Sequence, residues 1–186
     1  MHVHVDAARF FNGLAEVPQE APEIVKNCSS LMFCFSKGLC APVGSMVVGS
    51  SKFITAFKRN RKMMGGVLRK PGVVAGAALI ALKSRGDVLA TDNKIARVFS
   101  QALVNLGWLE LMLPIQTNMV PFKITDPSVK GEALRVFMRE RGVAMMISSQ
   151  IGRIVTHRYI RQPEMDKVIK LMEEFRKSVA DSEVSS

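Results

Sequence analysis

Two apolar runs stand too close together to be joined as parallel neighbours, and that spacing constrains the fold most. Ser30 to Ser36, SLMFCFS, is a continuous apolar run of the kind that forms a buried strand. Gly44 to Gly49, GSMVVG, reads as a second strand, and only Lys37 to Val43 lie between them. A parallel crossover needs about a dozen residues or more, so these strands, if adjacent, are antiparallel. Upstream, Val3 and Val5 alternate with His2, His4 and Asp6, the period of a half-buried strand ending at Asp6. A helical pattern over Ala8 to Leu14, broken by Pro18 and Pro22, leaves room for a crossover, so this strand can be parallel to the next. The expectation is a mixed sheet with one reversed strand.

The remainder is helix-rich. Phe53 to Met64 is helical and Gly65-Gly66 breaks it. Pro71 to Lys83 is apolar nearly all round and is expected to be buried. Asn93 to Leu106 is amphipathic and stops at Gly107, and Arg85-Gly86-Asp87 reads as a helix end through Gly86. Leu109 to Leu113, Val120 to Ile124, Ala144 to Ser148 and Gly152 to His157 read as short strands, with a helix over Lys130 to Arg141. Pro163 opens a last helix with Met165, Val168, Ile169, Met172 and Phe175 on one face. Helices flanking paired strands predict a small α+β unit from about residue 90, and the tail DSEVSS is expected to be disordered.

Composition excludes several classes. With 48% hydrophobic and 23% charged residues, the chain is of ordinary globular type. Its longest apolar run, Val73 to Leu82, falls short of the roughly 20 residues of a membrane span. The N-terminal residues lack a basic region leading into an apolar one, so no secretory signal is expected. Cys28, Cys34 and Cys40 are evenly spaced rather than closely paired, which does not match a zinc site and suggests reduced thiols. No metal site is expected, and the implied compartment is the cytoplasm, with the mitochondrion left open. The net charge of +10 concentrates in Lys52 to Lys62. There Phe53 and Phe57 have the four-residue spacing of a helix contact, and a nucleic-acid partner is not expected.

Ligands of open α/β sheets sit beyond the carboxyl ends of the strands. Asp6 and Lys37 both stand at such ends. A lysine there is either solvated or covalently engaged. The cofactor that needs a lysine and a carboxylate side by side is pyridoxal 5'-phosphate: the lysine binds its aldehyde and the acid keeps its ring nitrogen protonated.

HVDAARFFN, CFSKGLCAPVGS, RKMMGGVLRKPG and RIVTH, in that order, resemble the low-specificity L-threonine aldolases, a family of fold-type-I pyridoxal phosphate enzymes. The resemblance covers nearly the whole chain. It implies an α/β fold: part of a large, aspartate aminotransferase-like domain over residues 1–90, a small α+β domain over 91–180, and a tail at 181–186. It implies retro-aldol cleavage of L-threonine or allo-threonine to glycine and acetaldehyde, by a homo-oligomer acting on a small amino acid. Lys37 would be the Schiff-base lysine and Asp6 the partner of the ring nitrogen. Arg9 would contact the ring oxygen or the substrate. Arg69 and Lys62 would lie near the phosphate, in this family often across a subunit boundary. Arg153 would grip the substrate carboxylate as a fork. His157 and His4 are each open to a packing or a catalytic role.

The sequence also departs from the family pattern. It begins within what the family uses as a central strand, and the phosphate-binding loop and the histidine that stacks on the ring have no counterparts. Ala7, Cys40 and Val67 stand where the family has glycines, and Lys70 where it has glutamine. If those glycines have φ > 0 or a close backbone approach, each side chain costs about 1 kcal/mol or more. The expectation is a chain inactive in isolation, the alternative being a pseudoenzyme that serves as an interaction subunit of a full-length aldolase.

Overall fold

The structure is a computed structural model and describes residues 1–184. Its contacts fall into two units, Met1–Ala90 and the residues from Thr91 onward.

The first unit is built on β1 (His4–Asp6), β2 (Ser30–Cys34) and β3 (Ser45–Gly49), in the order β1-β2-β3. β1 runs parallel to β2, with Asp6 opposite Met32, and β3 runs antiparallel to it, with Cys34 opposite Ser45. This is the mixed sheet that the connection lengths require. The crossover from β1 to β2 carries α1 (Phe10–Leu14) and α2 (Ala21–Val25); Pro22 starts α2 rather than breaking a helix. After β3, Ser50 caps α3 (Ser51–Met63) by accepting from the Phe53 amide at 3.3 Å. Gly65, at φ 77°, then turns the chain. Phe53 and Phe57 stack on each other at a centroid distance of 6.0 Å and remain half-buried.

The core of this unit is Leu31, Phe33, Phe35, Leu39, Ala78, Ala81 and Leu89. Phe11, Phe33 and Phe35 meet edge to face in sequence, at 5.2 and 5.1 Å. Helix α4 (Gly72–Lys83) corrects the expectation of burial. Ala78 and Ala81 are buried and Leu82 packs half-buried against the core, while Val73, Leu79 and Ile80 are 87%, 58% and 69% exposed. A core covers one stripe of a helix, and here that stripe is Ala78, Ala81 and Leu82, leaving Val73, Leu79 and Ile80 outside.

The second unit begins within α5 (Gly86–Asn105). Gly86 opens this helix; the preceding one ends at Lys83 with Ser84 as its C-cap, so the reading of Gly86 as a helix end is corrected. Four antiparallel strands follow, β4 (Leu109–Leu111), β5 (Met119–Ile124), β6 (Met146–Ser148) and β7 (Ile151–Val155), in the order β4-β5-β7-β6. Helices α6 (Gly131–Glu140) and α7 (Gln162–Val184) complete it. Phe99, Leu103, Phe122, Leu134, Met138, Met172 and Phe175 form its core. α7 is continuous through Val184, so residues 181–184 are helical where the sequence suggested a disordered tail; Ser185 and Ser186 lie outside the described residues. Among the described residues no helix is long and apolar enough to cross a membrane.

Candidate active site

Because β1 and β2 are parallel, their carboxyl ends share one edge of the sheet. Asp6 closes β1 there, exposed, and its Oδ1 accepts from the Ala8 amide at 3.1 Å. That bond orients the carboxylate and leaves Oδ2 for another donor. The ladder continues past Asp6: Ala7 N donates to Met32 O at 2.9 Å and Cys34 N to Ala8 O at 3.2 Å. Lys37 follows at the same end, exposed, in a loop pinned at its base. Phe35 N donates to Gly44 O and Ala41 N donates to Phe35 O, each at 2.9 Å. Within that loop Cys40 N donates to Lys37 O at 2.8 Å, closing a turn over Lys37 to Cys40.

Cys40 pays for this turn in backbone strain. Its φ is 59°, in the left-handed region that favours glycine, and its Sγ donates to Gly38 O at 3.5 Å. Of the three positions where the resemblance implies glycine, Cys40 alone has a positive φ; Ala7 and Val67 do not.

The turn also touches a residue that sequence reasoning left without a role. Asn12, on α1, is 1% exposed, and it packs against Gly38 so closely that a Cβ there would collide with its carboxamide. The one available signal was a polar residue on the inward face of a short helix.

The other site residues of this unit are less tightly grouped. Arg9 is half-buried at the N-cap of α1, and its carbonyl accepts from Asn12 N at 3.0 Å. Lys62, in the last turn of α3, and Arg69, between α3 and α4, are exposed. Neither bonds to Asp6 or Lys37 among the described residues. His4 Nδ1 lies 2.8 Å from Ser30 Oγ across the β1–β2 pair, which gives the ring a structural partner.

In the second unit Arg153 projects from β7, exposed, and its Nη2 donates to Met146 Sδ at 3.3 Å. With His157, Glu164 and Lys167 it lines a cavity of about 480 Å³ whose wall includes Met145 and Val155. His157 is half-buried; its Nδ1 accepts from Tyr159 N at 3.4 Å. The neighbouring Thr156 is fully buried, its Oγ1 donating to Asp92 O at 2.7 Å, while Asn118 Nδ2 donates to Thr156 O at 2.6 Å. These bonds anchor the chain between Arg153 and His157. The Asp92 carboxyl is itself buried, and burial pushes its pKa up to about 6 despite Arg161, 3.5 Å away, and Arg158, which both pull it down.

The donor set at the sheet end suits pyridoxal phosphate: a primary amine, a carboxylate with a free oxygen and an adjacent arginine, on elements joined by backbone hydrogen bonds. Comparison with known proteins points the same way. The model of the beta-eliminating lyase family matches residues 1–125. Low-specificity L-threonine aldolase 1 of Arabidopsis thaliana is 37% identical over 162 residues, covering 85% of this chain and 45% of that protein. The threonine aldolase of Leishmania major superposes with a TM-score of 0.72 at 13% identity, over 94% of this chain and 52% of that one. An SPT structure solved with PLP as internal aldimine superposes with a TM-score of 0.71 at 17% identity, over 96% and 48% of the two chains. Threonine aldolases and the fold-type-I enzymes are dependent on pyridoxal phosphate. The chain spans about half the length of the curated relatives it matches. It belongs to the beta-eliminating lyase family, as a homologue of the low-specificity L-threonine aldolases.

Proposed function

We propose that this chain supplies the lysine side of a threonine aldolase site, for the cleavage of L-threonine or L-allo-threonine to glycine and acetaldehyde. The observation that carries the reading is the parallel β1–β2 pair, which brings Asp6 and the Lys37 turn to one sheet end. Pyridoxal phosphate, when bound, supplies an aldehyde for the lysine and a ring that accepts electrons from the substrate. Lys37 offers the amine. Asp6, oriented through Oδ1, uses Oδ2 to hold a proton at the ring nitrogen. Arg9 binds the ring oxygen or the substrate, and Lys62 and Arg69 serve the phosphate. Arg153 presents a planar fork to the substrate carboxylate, for which it would give up its weak contact with Met146.

These residues bind and orient; they do not complete a site. Turnover on this reading requires the remaining half of the family's chain length beside them, and residues 1–186 assayed alone are expected to show none. The experiment is incubation with pyridoxal phosphate, borohydride reduction and peptide mapping, in the chain and in Lys37→Ala. A pyridoxyl label on Lys37, absent from the variant, supports the reading. Folded protein that takes no label at Lys37 contradicts it.

A second reading rests on a different observation, the exposed apolar side chains of α4, of the end of α3 and of the connection between them: Val73, Leu79, Ile80, Met63, Met64 and Leu68. On this reading the chain is a pseudoenzyme that docks onto a full-length aldolase subunit. Co-elution with such a subunit on gel filtration supports it, and a monodisperse monomer indifferent to that subunit rules it out.

A further inference from the structure

We infer that Asn12 is a positioning residue for Lys37. This rests on the reading of Lys37 as the cofactor lysine and adds a residue to which that reading gives no task. Asn12 is the one buried residue of α1, at 1% exposure. A carboxamide withdrawn this far from water is normally held by specific partners and is retained for what it holds. Its neighbour is Gly38, the residue directly after Lys37. A Cβ on Gly38 would collide with Oδ1 and Cγ of Asn12 and stand 3.1 Å from Leu89 Cδ2. Gly38 does not have a positive φ, so what requires glycine here is the close approach of the carboxamide, not the backbone conformation.

The same short segment carries the carboxylate. Asp6 Oδ1 accepts from Ala8 N at 3.1 Å, Phe10 N donates to Ala7 O at 2.7 Å, and Arg9 O accepts from Asn12 N at 3.0 Å. Residues 6 to 12 are therefore one hydrogen-bonded piece, with the ring-nitrogen carboxylate at one end and, at the other, the amide that seats the Lys37 turn. At the far side of that turn stands Cys40, in a backbone region unfavourable for its side chain. The turn thus has a strained end and a clamped end, and Asn12 is the clamp. It sets the separation between Asp6 and Lys37, the two groups that must meet one small ring, without touching the ring itself.

The test compares wild type, Asn12→Ala, Gly38→Ala and the double variant. Each is melted thermally, incubated with pyridoxal phosphate, reduced with borohydride and mapped for labelled lysines. Asn12→Ala is expected to fold and to label Lys37 about ten-fold more slowly or worse, with less preference over surface lysines, because the amine has lost its preset geometry. Gly38→Ala is expected to lower the melting temperature. The double variant, whose smaller residue 12 makes room for the new methyl, recovers melting but not the labelling rate; a purely structural role would restore both together. Labelling at the wild-type rate and preference in folded Asn12→Ala overturns the inference alone, and so does the double variant doing the same should Asn12→Ala not fold. A wild type that does not label Lys37 overturns the lysine assignment, and the inference with it.

Discussion

Asp92→Asn should stabilise the protein in a pH-dependent way. The Asp92 side chain is fully buried, and its pKa in the fold is about 6 against an ordinary 3.8. The folded state therefore holds this proton more tightly than the unfolded state, and stability falls as pH rises from about 4 to about 6. With 1.36 kcal/mol per pKa unit, the penalty reaches ~3 kcal/mol at about pH 7.5 and is ~1 kcal/mol at about pH 4.5. The attraction of Arg161 and Arg158 is already contained in the raised value. Asparagine keeps the shape without the charge, and the Thr156 hydroxyl bonds the Asp92 backbone carbonyl, which the substitution retains. The gain from Asp92→Asn should therefore grow by ~2 kcal/mol between the two pH values, or ~4–8 °C in melting temperature. Thermal and urea melts of both proteins at each pH measure it. An equal effect at both pH values, or a loss of stability at the higher one, would refute the burial argument and mean that Arg161 dominates this carboxyl.

Two further substitutions test local features. Cys40→Gly should stabilise by ~0.5–1 kcal/mol in a urea melt, the relief of left-handed strain at φ 59° exceeding the added unfolded-state entropy of glycine; a loss of stability would show that the thiol's contacts outweigh the strain. The double variant Leu79→Ser, Ile80→Ser should shift stability by no more than ~0.5 kcal/mol and reduce self-association in sedimentation, because both side chains face solvent; a loss of several kcal/mol would show that they are core.

The sheet of the first unit was legible because a chain of seven residues cannot make a parallel crossover, whatever its side chains. The longer connection before β2 only permitted the parallel β1–β2 pairing that brings Asp6 and Lys37 to one sheet end. Periodicity failed at α4, where a helix apolar all round looks the same in sequence whether all of its faces are covered or only one stripe is. Gly86 was misread because glycine can stand at either end of a helix, and only the backbone shows which. The strain at Cys40 was foreseeable only through the resemblance, which puts a glycine at that position. The contact of Asn12 with Gly38 was not, since it joins residues far apart in sequence through a shape complementarity that no local pattern encodes.

The central claim is that Lys37 is the amine that engages pyridoxal phosphate at the end of the β1–β2 pair. The most direct test is site-resolved mapping of the pyridoxyl label after borohydride reduction at limiting cofactor. The account predicts label concentrated on Lys37 and a new visible absorbance before reduction, both lost in Lys37→Ala. Label spread evenly over the exposed lysines of α3 and α7, with Lys37 no more reactive than they are, would contradict it.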